Sequence, residues 1–399
     1  IKDIEYTIKK QSKQGFTGGA DDLASQLKTT IRNSGNTQTQ GTVYYVANSG
    51  NNSNSGKSEN APLKTLEAAN SKAKLGDTIL FKRGDVWRIN PSSTSGFTLK
   101  AGVTYGAYGT GDKPLFIGSA YNYATRTWTY DGNNVWKTDL RWDRDWLGRY
   151  DVHDANQVGN VYLFTSNNSE PITGVSVAKY VNGQTVYDKS DLDAEGEFYI
   201  KPNTENDGFL YLYCTQNPAT KYARIELAEK RDVFKLANNV KLDNLCIKFA
   251  GGHGINGIGL NNVTITNCEL GYIGGAPHYS NRYGNGIQFG NGGKNLRIEN
   301  CYVYQCFDAG ITFQSWSDNT EFDNVSFVNN LLENNYYNIE FFTTGTSEYK
   351  VGSSNSTNGI MKNITIQGNI MRFAGYCWSY NQRLSDGNFR CANIAVTKN

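Results

Sequence analysis

The 399-residue sequence has no long apolar run and no excess of charge of either sign. No run approaches the roughly 18 apolar residues of a membrane-spanning helix, which excludes that class of protein. The 39 Lys and Arg residues nearly balance 37 Asp and Glu residues, so the chain lacks the basic stripe of a nucleic-acid-binding protein and the acidic tail of a disordered one. Only 2 Met stand against 42 Gly and 26 Tyr. This composition is typical of an all-β fold with many turns and excludes a coiled coil.

Cysteine pairs with metal-binding spacing are also missing. The seven cysteines include no Cys-x-x-Cys pair, which argues against a structural zinc site. An odd number leaves at least one thiol unpaired, and Cys377 and Cys391 are the one pair that we consider for a disulfide. The chain begins at Ile1 rather than Met and has no signal-peptide apolar segment. We therefore expect a processed chain whose export signal lies outside this sequence.

What the sequence does contain is a repeat from residue 240 onwards. Each copy is an alternating strand, a polar turn position and a short apolar strand. Five segments superimpose in this way: 240–247, 263–270, 296–303, 325–332 and 364–371. A further apolar strand follows each of them: 254–258, 286–289, 310–313, 338–342 and 393–396. Because the interval between successive copies varies from 23 to 39 residues, the strands form a constant frame that carries insertions of different length.

At two positions of the repeat, here called columns, the same residue type recurs in several copies. Asparagine occupies the turn position at Asn244, Asn267, Asn300 and Asn329. Asparagine tolerates a left-handed backbone, and its amide can bond to the equivalent amide in the next copy. Cys268 and Cys301 share the following column, where we expect small packing residues.

This pattern predicts a right-handed parallel β-helix of the all-β class. A single coil cannot bury its own apolar edge, so coils stack and share one core. In residues 62–73 the spacing of Leu63, Leu66, Ala69 and Ala73 predicts an amphipathic helix. We expect it to cap the open end of the solenoid, because exposed end strands invite pairing with other chains.

The chain divides into four predicted segments. Residues 1–41 are a polar lead-in with a short helix near 21–32, and residues 42–118 hold the N-terminal cap and the first coils. The repeat is lost in residues 119–235, which we interpret as an inserted β subdomain whose segments 197–201 and 209–213 form an antiparallel hairpin. Residues 236–399 return to coils and carry the candidate site.

Several of these segments resemble bacterial carbohydrate-active proteins with a right-handed parallel β-helix, the pectate-lyase-like superfamily. The matching pieces lie at 44–56, 62–66, 76–88, 252–255, 308–312 and 338–342. The superfamily includes polysaccharide lyases and glycoside hydrolases, among them lacto-N-biosidase-type enzymes with a helical N-terminal segment. The resemblance covers about residues 42 to 399 and implies a secreted or cell-surface bacterial protein that acts on a glycan. Family members usually continue through further coils to a C-terminal cap, which implies a missing C-terminal segment or a second polypeptide that completes the last coils.

Carboxylates that point outward from the second strands are the candidate catalytic residues. One predicted outward column holds Asn256, Gln288, Thr312, Glu340 and Ala395, and another holds Gly252, Gly284, Asp308, Tyr336 and Cys391. If neither residue is catalytic, Glu340 is a solvated surface group and Asp308 is a turn residue. Regular strand geometry places the Cα atoms of these two about 14 Å apart, whereas glycosidase carboxyl groups lie roughly 5–9.5 Å apart. Unless the chain bends at Ala309–Gly310, Asp318 or Asp386 is the alternative catalytic partner.

Six residues are candidate substrate-binding residues: His278, Arg282, Gln288, Trp316, Trp378 and Arg390. Exposed aromatic rings stack on sugar faces, although such tryptophans also serve as packing residues. For His253, the alternation of inward and outward residues along the strand predicts a core histidine whose polar atoms are hydrogen-bonded. The predicted function is a glycoside hydrolase acting on an oligosaccharide or polysaccharide, with a polysaccharide lyase or a non-catalytic glycan-binding solenoid as alternatives. No cofactor is predicted, because the second-strand columns contain no carboxylate cluster that would hold Ca²⁺. The expected partner is a glycan, with no nucleic acid and no membrane span.

Overall fold

The computed structural model describes residues 20–90, 96–140, 158–167, 169–181, 184–200, 208–278, 281–316, 320–343, 360–375 and 392–398. Helices are few: α1 (Ala20–Arg32), α2 (Leu66–Lys72), α3 (Pro218–Lys221) and the 3₁₀ turns Tyr123–Thr125 and Lys189–Asp191. In the described part of the chain, no helix is both long enough and apolar enough to cross a membrane.

Strands account for most of the regular structure. The first coils contain β1 (Val43–Val46), β2 (Thr78–Lys82), β3 (Val86–Arg88), β4 (Phe97–Thr98), β5 (Thr104–Tyr108) and β6 (Leu115–Ile117). The insertion contains β7 (Thr129–Gly132), β8 (Val135–Asp139), β9 (Val158–Phe164), β10 (Ile172–Thr173), β11 (Val175–Ser176), β12 (Ala178–Val181), β13 (Gln184–Tyr187), β14 (Glu197–Ile200), β15 (Phe209–Tyr213) and β16 (Arg224–Glu229). The later coils contain β17 (Phe234–Lys235), β18 (Lys241–Asp243), β19 (Cys246–Lys248), β20 (Ile255–Thr266), β21 (Glu269–Ile273), β22 (Ala276–His278), β23 (Asn281–Tyr283), β24 (Ile287–Glu299), β25 (Tyr302–Cys306), β26 (Ala309–Ser315), β27 (Glu321–Val328), β28 (Leu331–Glu333), β29 (Tyr337–Thr343), β30 (Ile360–Gln367), β31 (Ile370–Arg372) and β32 (Ala392–Lys398).

Each coil contributes to three faces of parallel strands. Face A contains β1, β2, β5, β18, the second halves of β20 and β24, β27 and β30. Face B contains β3, β6, β19, β21, β25, β28 and β31. Face C contains β4, β17, the first halves of β20 and β24, β26, β29 and β32. This architecture confirms the predicted parallel β-helix.

The strand register confirms the alignment of the repeat. On face A, Val263 pairs with Leu296, and Leu296 pairs with Val325. All three side chains are buried in one apolar core that runs through the coils. Cys268 and Cys301 lie in the same core, and burial raises the pKa of the Cys268 thiol well above its usual value. Both are packing residues, as predicted.

The asparagine turns follow the prediction in backbone but not in side-chain bonding. Asn244, Asn267, Asn300 and Asn329 all have a positive φ, between 51° and 61°. The stacked amides lie at the preceding corner instead, where Asn239, Asn262, Asn295 and Asn324 are joined by bonds of 2.7–2.8 Å. At the predicted corner, the Asn267 amide donates to the Asp243 carboxylate at 2.7 Å, because a charged acceptor is available there.

Two helices cover the solenoid. Helix α2 begins at the N-cap residue Thr65, whose Oγ1 accepts from the Ala68 N–H at 3.2 Å. It buries Leu66 and Ala69 against the first strands, which confirms the capping helix. Helix α1 covers the outer side of face B, where Leu27 and Ile31 are buried in a cluster shared with residues of that face.

The insertion leaves the solenoid after β6 and folds on its own core. Strands β8, β14 and β15 pair in antiparallel fashion, which confirms the predicted hairpin. Strands β9 and β16 pair beside them and bury Val161, Leu163, Ile225 and Leu227. Because β17 already pairs with β4 and β20, the solenoid resumes within the last two residues of the predicted insertion.

Candidate functional site

The outer side of face C carries a column of polar side chains from consecutive coils. Strand pairing places Asn256 beside Gln288, Gln288 beside Thr312, and Thr312 beside Glu340. The preceding residue in each strand is an isoleucine of the solenoid core. Alternation along a strand therefore directs the polar column away from the core, in the register that the sequence predicts.

Burial of this column departs from the expectation for an outward surface. Gln288 and Thr312 are buried, and Glu340 is 5% exposed. The interpretation of Glu340 as a solvated surface carboxylate is therefore wrong. One of its oxygens, Oε2, accepts from Thr312 Oγ1 at 3.1 Å and from Gln314 Nε2 at 3.2 Å. Two neutral donors from the neighbouring coil thus fix the orientation of a buried carboxylate.

Hydrogen bonds extend the column towards the insertion. Gln288 Nε2 donates to Asn256 Oδ1 at 3.1 Å, and Asn256 Nδ2 donates to Asp232 Oδ2 at 2.7 Å. Asn285 Nδ2 donates to the amide oxygen of the same side chain, Gln288 Oε1, at 2.9 Å. The sequence analysis missed Asp232, because it precedes β17 at the border of the insertion, where the repeat pattern is absent.

Asp308 lies where face B passes into face C. The residue is half-buried; its N–H donates to the Gly284 carbonyl, and its own carbonyl accepts from the Tyr337 N–H. From residue 309 onwards, β26 pairs with β29 without a change of register. The separation of about 14 Å between the Cα atoms of Asp308 and Glu340, expected for straight strands, stays a prediction.

An aromatic platform adjoins the polar column. Trp316 is 39% exposed, and its backbone N–H donates to Asn291 Oδ1 at 2.8 Å. Its ring covers Gly290, where a Cβ atom would lie 2.4 Å from a ring carbon. Gly290 pairs with the exposed Ile258 on one side and with Gln314 on the other. The Trp316 ring thus covers the strand neighbour of Gln314, the residue whose amide binds Glu340.

Arg282 belongs to the β22–β23 hairpin. Its guanidinium donates to the Gly275 carbonyl at 3.2 Å, and to the Gly159 carbonyl and Ser176 Oγ of the insertion at 3.5 and 3.4 Å. These contacts brace the hairpin against the insertion. A role for Arg282 in substrate binding stays a prediction.

His253 has the satisfied environment that the sequence predicts. It is buried, its Nδ1 accepts from the Asn285 N–H at 3.0 Å, and its ring packs edge-on against Tyr283. The histidine therefore holds the turn that leads into β24.

Several predicted residues lie outside the described part of the chain. These are Asp318, Trp378, Asp386 and Arg390, together with Cys377, Cys391 and the side chain of His278. Among the described residues, no three His, Cys, Asp or Glu side chains come together as a metal site.

Comparison with known proteins gives weak similarities. No family model and no curated protein matches the chain. Solved structures similar to it include XylC in complex with xylose, at a TM-score of 0.39 and 13% identity over 82% of this chain and 69% of that one. A rhamnogalacturonan lyase has a TM-score of 0.33 at 13% identity, over 82% of this chain and 62% of that chain. A family 136 lacto-N-biosidase from Eubacterium ramulus has a TM-score of 0.32 at 14% identity, over 82% and 55%.

The chain thus spans less than two thirds of the last two proteins. Similarities at these scores carry no argument about activity. The fold assignment rests on the parallel registers of the three faces.

Proposed function

We propose that the protein is a glycoside hydrolase that binds an oligosaccharide or polysaccharide along face C. The observation that carries this proposal is the buried Glu340 carboxylate on the outer side of the sheet, oriented by Thr312 and Gln314. The partly exposed Trp316 ring lies over Gly290, the strand neighbour of Gln314. Aromatic rings stack on sugar faces, and carboxyl groups carry out glycosidic cleavage.

In this proposal Glu340 is the general acid. A general acid donates its proton to the leaving oxygen of the glycosidic bond, and the bonds from Thr312 and Gln314 would hold the carboxyl group in place for that step. Gln288, predicted as a substrate-binding residue, is buried and bonded to Asn256 and Asn285, so its role here would be to hold the column in place.

Asp308 is the proposed base, and the spacing predicts inversion. Asp and Glu side chains reach about 2.5 and 3.7 Å from Cα, so with Cα atoms about 14 Å apart the two carboxyl carbons come no closer than about 8 Å. This lower limit exceeds the about 5.5 Å of retaining enzymes and admits the roughly 6.5–9.5 Å of inverting ones. A water molecule between the two groups would be the nucleophile.

The test is hydrolysis of a glycan panel by Asp308→Asn, Glu340→Gln and the parent protein. Each variant keeps size and hydrogen-bonding capacity while removing the charge, and we expect a loss of about 10³-fold or more in kcat/KM. Glu299→Gln is the matched control, because Glu299 lies on face A in an ion pair with Arg297. Proton NMR of the first product reports the anomeric configuration.

Other outcomes assign other functions. Activity within a few-fold of the parent in both variants would exclude the pair and leave Asp318 and Asp386 as candidates. Absorbance of unsaturated uronate products would identify a lyase, and binding without cleavage would identify a glycan-binding solenoid. A secreted or cell-surface bacterial location stays a prediction, as does a C-terminal segment or second polypeptide that completes the last coils.

A further inference from the structure

A cavity lies at the corner between faces A and B. Its volume is about 730 Å³, and it is enclosed by the lead-in segment 32–36, the turns 83–86 and 109–113, and the start of face B. None of its lining residues belongs to face C. The cavity is therefore separate from the site proposed for glycan cleavage.

Two buried cations line this cavity. Lys113 is 6% exposed, and its ammonium group donates to Ser34 Oγ at 2.6 Å and to Asn244 Oδ1 at 2.9 Å. Arg83 is 7% exposed, and its guanidinium donates to the carbonyls of Ser34 and Gly35 at 2.7 and 2.9 Å. All of these acceptors are neutral.

The remaining bonds of Arg83 are of the same kind. They reach Asn36 Oδ1 at 3.0 Å, the Gly111 carbonyl at 3.4 Å and Asn244 Oδ1 at 3.5 Å. Within the described part of the chain, neither Lys113 nor Arg83 has a carboxylate within ion-pair distance. Among the described residues, the ammonium group of Lys113 makes two bonds with its three N–H donors, so one N–H has no acceptor there.

Nearby acidic groups are already engaged. Asp243 lies close enough to act on both cations electrostatically, but its oxygens accept from Asn244, Thr266 and Asn267 at 2.7–2.9 Å. Elsewhere on the lining, Asp85 accepts from the Asn48 N–H.

The rest of the lining adds both signs of charge. Glu269 is paired with Arg32 and Lys248, and Asp112 acts electrostatically on Arg83. Four cations and three carboxylates line the cavity, so the lining itself has one positive charge in excess, which Asp243 behind it offsets in part.

Burial makes this arrangement costly. Desolvation lowers the pKa of Lys113 and the pKa of Arg83. A buried charge is normally compensated by a counterion, because its transfer from water is otherwise unfavourable. A negatively charged ligand in the cavity would supply that compensation.

We propose that this cavity binds a compact oxyanion through Lys113 and Arg83, either an inorganic phosphate or sulphate or the carboxylate of an acidic sugar. Because both cations also hold residues 34–36, the bound anion would strengthen the attachment of the lead-in segment. Binding and local stability of this segment would then be coupled.

Calorimetric titration of the whole chain with sodium phosphate, sodium sulphate or sodium glucuronate tests the proposal. Sodium chloride at equal ionic strength is the reference for general screening. We expect saturable binding of at least one of the three, with a rise in Tm. Binding of phosphate or sulphate indicates an inorganic ligand, and binding of glucuronate alone indicates a sugar acid. If none of the three salts binds saturably or raises Tm more than sodium chloride does, the proposal is overturned.

A matched pair of variants locates the site. Lys113→Met removes the charge but keeps most of the side-chain volume, and we expect affinity to fall by about tenfold or more. Lys57→Met makes the same chemical change at an exposed position and should leave affinity unchanged. Equal binding by the parent and a folded Lys113→Met protein contradicts the proposal.

Hydrogen exchange on the parent protein gives an answer even if Lys113→Met does not fold. Saturation with the anion should slow exchange of the amides in 33–36 and 109–113, since these backbones border the two cations. Binding that leaves these amides unaffected places the anion elsewhere and overturns the proposal.

Discussion

Glu269 joins the lead-in helix to the β-helix, and its substitution tests how much this connection contributes. Arg32 at the end of α1 donates to both carboxylate oxygens at 2.9 and 2.7 Å. Lys248 lies 3.3 Å away, and Tyr304 Oη donates at 3.1 Å. Because Glu269 is buried, we expect Glu269→Gln to weaken both the helix attachment and the solenoid.

The pKa of Glu269 gives the magnitude. Burial by itself raises this pKa, but attraction by Lys248 and the hydrogen bonds from Arg32 outweigh it and lower the pKa from 4.5 to about 2. At about 1.36 kcal/mol per pH unit, the folded state gains roughly 3 kcal/mol from the ionised carboxylate. A carboxylate whose pKa is lowered by folding stabilises the folded state fully above its ordinary pKa. This stabilisation is lost as the pH falls towards 2.

Urea unfolding followed by circular dichroism measures the effect. At pH 7 we expect Glu269→Gln to lower the free energy of unfolding by about 3 kcal/mol, and to speed amide exchange in α1. The difference from the parent should shrink as the pH approaches the pKa of the folded state.

The matched control is Glu299→Gln. Glu299 and its partner Arg297 have side chains 25% and 45% exposed, so the same chemical change should cost less than about 1 kcal/mol. Equal losses in the two variants, or a loss below about 1 kcal/mol for Glu269→Gln, would refute the argument that burial of this ion pair decides its contribution.

Three further substitutions test the site and the turns. Trp316→Ala should raise KM by about five- to tenfold with little change in kcat, because ring stacking holds substrate and transition state alike. Thr312→Val removes one donor to Glu340 while keeping the shape, and should lower kcat by about tenfold in steady-state kinetics. Asn300→Ala should lower the free energy of unfolding by about 1 kcal/mol, and Asn300→Gly by less, since φ is +51° there.

Specific outcomes would contradict these expectations. A loss of kcat with unchanged KM in Trp316→Ala would place the ring at the reacting bond rather than at a distant sugar. Full activity of Thr312→Val would mean that Gln314 alone orients Glu340. Equal stability of the alanine and glycine variants at Asn300 would remove the left-handed backbone as the cause.

The sequence alone determined the parallel β-helix and the register of its coils. Inward residues such as Val263, Leu296 and Val325 recur at one phase of each coil, and a period of two along a strand assigns each side chain to the core or to the outer side. The same rule predicted the column that contains Gln288 and Glu340. The amphipathic spacing of residues 62–73 likewise predicted the capping helix.

Only the tertiary structure decided which outward residues are buried and which groups meet. Alternation places Glu340 outside the core, yet it is 5% exposed, which the period of the repeat does not predict. Asp232 joins the polar column and Lys113 meets Ser34 across long stretches of chain. Such contacts depend on how loops and the lead-in segment fold back onto the coils. Local spacing in a sequence carries no information about that, because the physical forces that bring these residues together act between parts of the chain that share no repeat.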